Sequence, residues 1–193
     1  MDGTFGRIQK ELKEIEHDKA SGVTAEVVSD NLLRLIGCVP GPKDTPYEGG
    51  VFKVDIQLDA QYPFAPPKMK FMTRVWHPNV SSQSGAICLD ILKDQWSPAL
   101  TLKTALLSLQ ALLASPQPDD PQDAVVANQY RSEKATFDRT ARYWTEAFAR
   151  PDGDDEAKIQ KIVDMGFDKA AAVAALKAAG GDENAALEAL LGS

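Results

Sequence analysis

The first stretch of the chain has the spacing of an amphipathic helix. Phe5, Ile8, Leu12 and Ile15 recur at intervals of three and four residues, so they share one face, while charged side chains cover the other. A different pattern holds in residues 51–58, where apolar side chains occupy every second position. This alternation predicts a strand with one buried face.

Three further strands and three helices are predicted in the rest of the first 150 residues. The strands are 23–28, 31–39 and 68–72, and the helices are 101–114, 123–130 and 132–148. Thr101 suits the N-cap of the first of these helices, which is apolar enough to be buried. Because four strands follow one another before these helices, we predict an α+β fold with a four-stranded antiparallel sheet and flanking helices.

The composition changes near residue 150. Residues 1–150 contain 17 basic and 19 acidic residues, whereas residues 151–193 contain 4 and 9. Segment 151–155 combines Pro, Gly and three acidic residues, which is typical of a linker, although a surface loop within one domain is the alternative. We therefore predict a core domain, 1–150, a linker, 151–155, and a second domain, 156–193.

The second domain is predicted to be a small three-helix bundle. Eleven alanines follow Arg150 and favour helix. Asp168 and Asp182 each suit the N-cap of a helix, and Gly180-Gly181 suits the end of the one between them.

The overall charge and the cysteines narrow the class of protein. A net charge of −7 argues against a general nucleic-acid binder. The sequence contains no run of about 18 apolar residues that would suggest a membrane span. Residues 1–10 lack the apolar core of a signal peptide. Cys38 and Cys88 do not form a disulfide framework. We expect a protein of the cytoplasm, the nucleus or both.

Candidate chemistry lies in residues 74–98, an irregular stretch that contains His77 and Cys88. Long irregular stretches inside compact domains are usually functional. The pair suits a thiol nucleophile with a histidine base, or a loop that presents Cys88 while His77 holds it through backbone hydrogen bonds. Two ligands do not complete a structural zinc site, so no metal is expected. Cys88 also lies between Ile87 and Leu89, which suits a buried inert thiol. The residues alone leave these interpretations open.

Several motifs resemble the catalytic core of ubiquitin-conjugating enzymes. They follow the family's order and cover nearly all of residues 5–150, so together they are highly specific although each is weak alone. The motifs are Tyr47-x-Gly49-Gly50-Val51-Phe52, Tyr62-Pro63-Phe64-x-Pro66-Pro67, His77-Pro78-Asn79, Gly85-x-Ile87-Cys88-Leu89-Asp90, Trp96-Ser97-Pro98-Ala99 and Pro118-Asp119-Asp120-Pro121.

This resemblance implies roles for the residues around Cys88. Cys88 is expected to accept ubiquitin from the activating enzyme as a thioester and to pass it to lysine amines. Asn79 is expected to hold the active-site loop and to stabilise the developing oxyanion. Asp120 is expected to orient the incoming lysine and favour its neutral form, although by pattern alone it also suits a helix cap or turn. His77 and Pro78 are expected to be structural.

The resemblance also implies two binding surfaces. One set of residues matches positions where the family meets RING-type ligases and, in part, the activating enzyme: Arg7, Lys10, Phe64, Ser97, Pro98 and Ala99. By pattern alone, Phe64 equally suits a core position. The second domain resembles a ubiquitin-associated (UBA) domain, in which Met165, Gly166, Phe167, Leu190 and Leu191 would bind ubiquitin. The alternative is that Met165, Phe167 and Leu190 fill a small core.

A core with such a tail resembles the class that builds polyubiquitin chains of the proteasome-targeting linkage. The implied partners are ubiquitin, the activating enzyme, RING-type ligases and substrate proteins. No cofactor is expected, since the activating enzyme consumes the ATP upstream, and we expect a monomer. Two alternatives are a non-catalytic ubiquitin-binding adaptor, which Cys88, Asn79 and Asp120 disfavour, and a conjugating enzyme for another ubiquitin-like modifier, which the tail disfavours.

Overall fold

The computed structural model describes residues 2–151 and 153–192. The chain divides into two compact units between Ala149 and Arg150. The second unit's first helix begins at Asp154, inside the segment predicted as a linker. Residue 152 of that segment lies outside the described residues, as do residues 1 and 193 at the ends of the predicted domains.

The first unit consists of one helix, four strands and three more helices, in the predicted order. The elements are α1 (Asp2–His17), β1 (Thr24–Val28), β2 (Asn31–Pro40), β3 (Val51–Gln57), β4 (Lys68–Phe71), α2 (Leu102–Ala114), α3 (Ala124–Ser132) and α4 (Lys134–Phe148). Each strand pairs antiparallel with the next, giving the sheet order β1-β2-β3-β4. The predicted α+β fold is therefore confirmed, and the predicted strand and helix ends differ from the observed ones by a few residues.

One face of the sheet supports the buried helix α2. The alternation predicted for β3 places Phe52, Val54 and Ile56 in the core and leaves the residues between them more exposed. Gly37 of β2 allows close approach, because a Cβ there would lie 2.8 Å from a methyl carbon of Leu106 on α2. The helix begins as predicted, with the Thr101 hydroxyl accepting the backbone N–H of Thr104.

The second unit is a three-helix bundle with its own small core. Its helices are α5 (Asp154–Asp164), α6 (Lys169–Ala178) and α7 (Glu183–Leu191). The Asp168 and Asp182 side chains cap α6 and α7 as predicted, by accepting backbone N–H groups of the first turns. The core consists of Ile162, Ala172, Leu176 and Ala186. None of the helices in the described part of the chain is long and apolar enough to cross a membrane.

Candidate active site

Cys88 lies on an irregular segment that is bound to the edge of the sheet. The Gly85 carbonyl accepts the backbone N–H of Phe71 on β4 at 2.9 Å, and the backbone N–H of Cys88 donates to the Asn79 carbonyl at 2.9 Å. Gly85 has φ +76°, and a Cβ there would lie 2.0 Å from the Phe71 carbonyl oxygen. Glycine is therefore required to bring the cysteine segment this close to β4.

His77 is fully buried and connects the segment to α2. Its Nδ1 accepts the backbone N–H of Asn79 at 3.0 Å, and its Nε2 lies 2.8 Å from the Leu112 carbonyl. Nδ1 therefore has no proton, and Nε2–H is the donor to Leu112. Burial lowers the pKa of His77 to about 4. The imidazole is neutral at pH 7 and both nitrogens are used within the fold, which agrees with the structural role expected from the resemblance.

Asn79 holds the loop that follows α2. Its Nδ2 donates to the carbonyls of Gln117 and Asp120, both at 2.8 Å, and its Oδ1 accepts the backbone N–H of Gln117 at 2.8 Å. The side chain is buried, and both amide hydrogens are directed to this loop. The geometry thus provides the loop-holding contacts, whereas an oxyanion contact would require one of these hydrogen bonds to be exchanged.

Further contacts hold the same loop from either side. The buried Pro78 accepts the backbone N–H groups of Gln122 and Asp123 at 2.9 and 3.1 Å. The Arg131 guanidinium donates to the Pro118 carbonyl and to the Asp119 carboxylate. These contacts fix the backbone of the loop that carries Asp120, whose side chain is exposed.

The Cys88 thiol lies between two groups of opposite charge. Its Sγ donates to Asp120 Oδ2 at 3.3 Å, and Lys93 Nζ donates to Sγ at 3.6 Å. Partial burial and the hydrogen bond to Asp120 raise the pKa of the thiol, and the opposing effect of the Lys93 ammonium does not offset them. The resting thiol is therefore protonated at neutral pH.

Two residues with notable contacts, Lys93 beside Cys88 and Glu11 on α1, were not identified from the sequence. Lys93 follows Cys88 by five residues, after one turn of 3-10 helix at Asp90–Leu92, and nothing in its local pattern indicates the contact. Glu11 is buried on the apolar face of α1. The sequence did contain a signal for this burial, since Glu11 is an acidic residue on the same helix face as the apolar Ile8 and Ile15.

The residues predicted to meet the ligase lie on neighbouring segments. Phe64 is 81% exposed, which excludes the core position that its pattern also suited. Lys10, Pro98 and Ala99 are exposed and line one groove of about 370 Å³, whereas Ser97 is half-buried. Arg7 also borders this groove, but its guanidinium is directed inward to Glu11 and to the Leu100 carbonyl.

In the second unit, the predicted ubiquitin-binding residues are divided between core and surface. Met165 and Leu191 are 60% and 70% exposed, whereas Phe167 and Leu190 are partly buried against the small core. Gly166 has φ +101°, in the left-handed region, so it allows the turn between α5 and α6. Core filling therefore accounts for part of this set, and two apolar side chains are left exposed.

Comparison with known proteins assigns both units to the families that their sequence motifs resemble. The family model described as ubiquitin-conjugating enzyme matches residues 7–145, and the UBA/TS-N domain model matches residues 155–190. The chain is 60% identical over 187 residues to ubiquitin-conjugating enzyme E2 27 of Arabidopsis thaliana, covering 96% of this chain and 97% of that protein. It is 49% identical over 191 residues to human ubiquitin-conjugating enzyme E2 K, covering 96% of each.

Solved structures agree with the fold of the first unit. The ubiquitin-conjugating E2 domain from Toxoplasma gondii superposes with a TM-score of 0.73 at 54% identity, covering 75% of this chain and 98% of that one. A putative ubiquitin-conjugating enzyme from Plasmodium yoelii gives a TM-score of 0.74 at 53% identity, covering 77% and 96%. The chain therefore belongs to the ubiquitin-conjugating enzyme family and carries a C-terminal UBA domain.

Proposed function

We propose that Cys88 is the acyl carrier of this ubiquitin-conjugating enzyme. The observation that carries the proposal is the position of its Sγ, partly exposed and within hydrogen-bond distance of Asp120 on a loop fixed by Asn79. The Cys88 thiolate attacks the thioester carbonyl of ubiquitin on the activating enzyme. A new C–S bond forms, the C–S bond to the activating enzyme breaks, and that enzyme's cysteine leaves as a thiolate that takes up the proton lost by the Cys88 thiol. This step needs no cofactor bound to the chain itself.

In the second step a lysine amine attacks the thioester on Cys88. The C–N bond forms and the C–S bond breaks, so Cys88 leaves as a thiolate, and the proton lost by the amine returns to Cys88 and restores the resting thiol. Acylation removes the S–H hydrogen, so Asp120 no longer accepts the hydrogen bond that it accepts in the resting enzyme. Its carboxylate is then free to accept a hydrogen bond from the incoming amine. With His77 neutral and buried, rate enhancement comes mainly from positioning rather than from a strong general base.

We also propose that Lys10, Phe64 and Ser97–Ala99 form the surface for RING-type ligases. The exposed Phe64 ring supports this proposal, because an exposed aromatic side chain is a typical binding hot spot. Arg7 belongs to the same surface, although its contacts indicate that it supports the surface from within.

For the UBA domain we propose ubiquitin binding through Met165, the Gly166 turn and the end of α7. The exposed apolar side chains of Met165 and Leu191 support it. A tail that binds ubiquitin raises the local concentration of acceptor chains near Cys88. From the resemblance to the class of conjugating enzymes with such a tail, we propose that the products are chains of the proteasome-targeting linkage, which mass spectrometry of products made with single-lysine ubiquitin variants tests directly.

The acyl-carrier proposal is tested by charging matched cysteine variants with activating enzyme, ATP and ubiquitin. Cys38 is the control, because it is also a half-buried free thiol but lies on β2. We expect Cys38→Ser to form a reducible adduct at the wild-type rate, and Cys88→Ser to form an ester that resists thiol reductants, or no adduct. Loss of charging in Cys38→Ser alone would contradict the proposal. Parallel reactions with other ubiquitin-like modifiers test the alternative substrate.

The tail proposal is tested in the full chain by methionine-methyl spectroscopy during titration with ubiquitin. Met165 is the probe, Met72 is an exposed reference in the other unit, and Met69 is a buried one. We expect the Met165 signal to shift and the shift to be lost in Phe167→Ala. A Met165 signal that does not move at saturating ubiquitin would contradict binding at this patch.

A further inference from the structure

Glu11 is a buried carboxylate with three hydrogen-bond donors. It is 4% exposed on the inward face of α1. Its Oε1 accepts Arg7 Nε at 2.8 Å, and its Oε2 accepts the Tyr62 hydroxyl at 2.6 Å and the backbone N–H of Leu102 at 3.1 Å. A buried charge is tolerated only when it is paired and hydrogen-bonded in this way.

The donors come from three segments that are far apart in sequence. Arg7 lies on α1 itself, Tyr62 lies 51 residues from Glu11 at the start of the proline-rich loop, and Leu102 lies 91 residues away at the first turn of α2. Arg7 extends the connection, because its Nη2 donates to the Leu100 carbonyl at 2.7 Å. The anion also lies at the N-terminus of α2, where the helix dipole favours negative charge.

These are the same segments that carry the proposed ligase surface. Lys10 precedes Glu11, Phe64 lies two residues after Tyr62, and Ser97–Ala99 precede Leu100. A second contact joins the two loops: Trp96 Nε1 donates to the Pro63 carbonyl at 2.8 Å, and the Trp96 ring lies 6.0 Å from the Tyr62 ring. The surface residues are therefore spaced by a network that lies beneath them.

We infer that Glu11 is a positioning residue for ligase recognition, fixing the spacing of α1, the Phe64 loop and the Ser97–Ala99 loop without touching the ligase. The inference rests on the proposed ligase surface. High affinity for the ligase requires that all three segments contact the same ligase molecule at the same time. If the spacing of the three segments is loosened, binding must order them again, and this free-energy cost weakens the affinity for the ligase. The active site lies at the other end of α2, where Leu112 contacts His77, so ligase-independent chemistry does not depend on this network.

Glu11→Gln is a sharp test because it keeps the shape and changes the donor pattern. If the amide oxygen accepts Tyr62 and Leu102, the amide –NH₂ faces the Arg7 Nε–H, and two donors oppose each other. If the amide flips, its –NH₂ faces the backbone N–H of Leu102 instead. Either orientation disrupts one side of the network. Tyr62→Phe removes a single donor and serves as a milder variant.

The experiment measures single-turnover discharge of the purified, ubiquitin-charged enzyme to free lysine, with and without increasing concentrations of a RING-type ligase. We expect Glu11→Gln to raise the ligase concentration for half-maximal stimulation roughly tenfold, the size of effect typical of losing a charge-assisted hydrogen bond. Tyr62→Phe should raise it less. The ligase-free discharge rate should change less than about twofold in both variants.

Two control variants separate the outcomes. Phe64→Ala removes the proposed anchor itself, and Val54→Ala weakens the core on β3, which is not one of the three segments. If Phe64→Ala weakens ligase stimulation and Glu11→Gln does not, the positioning role is wrong and the surface stands. If Phe64→Ala has no effect, the proposed surface is wrong, and the inference that rests on it is overturned too. Equal weakening by a comparably destabilised Val54→Ala, or an equal loss of ligase-free discharge in Glu11→Gln, would also overturn the positioning role.

Discussion

The Cys88 thiol donates a hydrogen bond to the Asp120 carboxylate, with Sγ 3.3 Å from Oδ2. In the proposed function, this contact links the two steps of ubiquitin transfer. In the resting enzyme it helps keep the thiol protonated, because a nearby carboxylate disfavours a thiolate. In the proposed second step, acylation has removed the S–H hydrogen, and the same carboxylate is available to the incoming amine.

The first prediction concerns Asp120→Asn. Removing the carboxylate should lower the pKa of the Cys88 thiol and speed its alkylation at pH 7, while slowing discharge of the charged enzyme to lysine roughly ten- to a hundredfold. The measurement is the pH dependence of iodoacetamide alkylation in a Cys38→Ser background, followed by single-turnover discharge. Asp30→Asn is the matched control, because it removes the same charge from an exposed side chain on the turn between β1 and β2. Unchanged alkylation in Asp120→Asn would contradict the account.

Lys93→Gln should act in the opposite direction on the same thiol. The ammonium donates to Sγ and stabilises the thiolate, so removing it should raise the pKa of Cys88 and slow alkylation at any fixed pH below that value. Lys43→Gln, on an exposed turn, controls for the loss of one positive charge elsewhere. Unchanged or faster alkylation in Lys93→Gln would contradict a thiolate-stabilising contact between the lysine and the thiol.

His77 predicts a specific dependence of stability on pH. Its pKa is lowered by burial to about 4, below the value of 6.5 expected in the unfolded chain. As the pH falls from 6.5 to 4, the unfolded state binds a proton that the folded state does not, so stability decreases by about 3 kcal/mol. Urea unfolding across this range should show the slope in the wild type and lose most of it in His77→Gln, which will also be less stable at pH 7. Identical slopes would contradict the assignment.

Two glycines with similar backbone angles should respond differently to alanine. Gly85 and Gly49 have φ +76° and +82°, so both substitutions cost the backbone penalty of about 1–2 kcal/mol. At Gly85 the new Cβ also meets the Phe71 carbonyl, whereas at Gly49 nothing lies within 4 Å. Denaturant unfolding should therefore show Gly85→Ala as clearly the less stable variant. Equal losses would mean that the cysteine segment is not held tightly against β4.

Hydrophobic periodicity predicted the main elements of the first unit, because the burial of one face determines them, whereas alanine content and the Asp168 and Asp182 caps predicted the helices of the second. The alternation of residues 51–58 predicted β3, and the stripe from Phe5 to Ile15 predicted α1, although α1 extends from Asp2 to His17. The ends were less well predicted, since strand and helix ends depend on caps and pairing rather than on periodicity.

The site required more than periodicity. His77 contacts Leu112, 35 residues away, and Asn79 contacts the Asp120 segment, 41 residues away, so no local pattern contains these pairs. Only the motifs shared with the family indicated that His77, Asn79 and Asp120 belong to one site. Lys93 and Glu11 were missed because their importance depends on which side chains the fold brings against them, and a short sequence window does not contain that information.

The central claim, that Cys88 and not Cys38 carries ubiquitin, is tested most directly in the wild-type enzyme. After charging with activating enzyme, ATP and ubiquitin, the reaction is quenched in acidic urea, free thiols are alkylated with N-ethylmaleimide, and both cysteine peptides are quantified by mass spectrometry. We predict that the Cys88 peptide escapes alkylation in proportion to charging, that Cys38 is fully alkylated, and that both are alkylated when ATP is omitted. Protection of Cys38 with full alkylation of Cys88 would contradict the account.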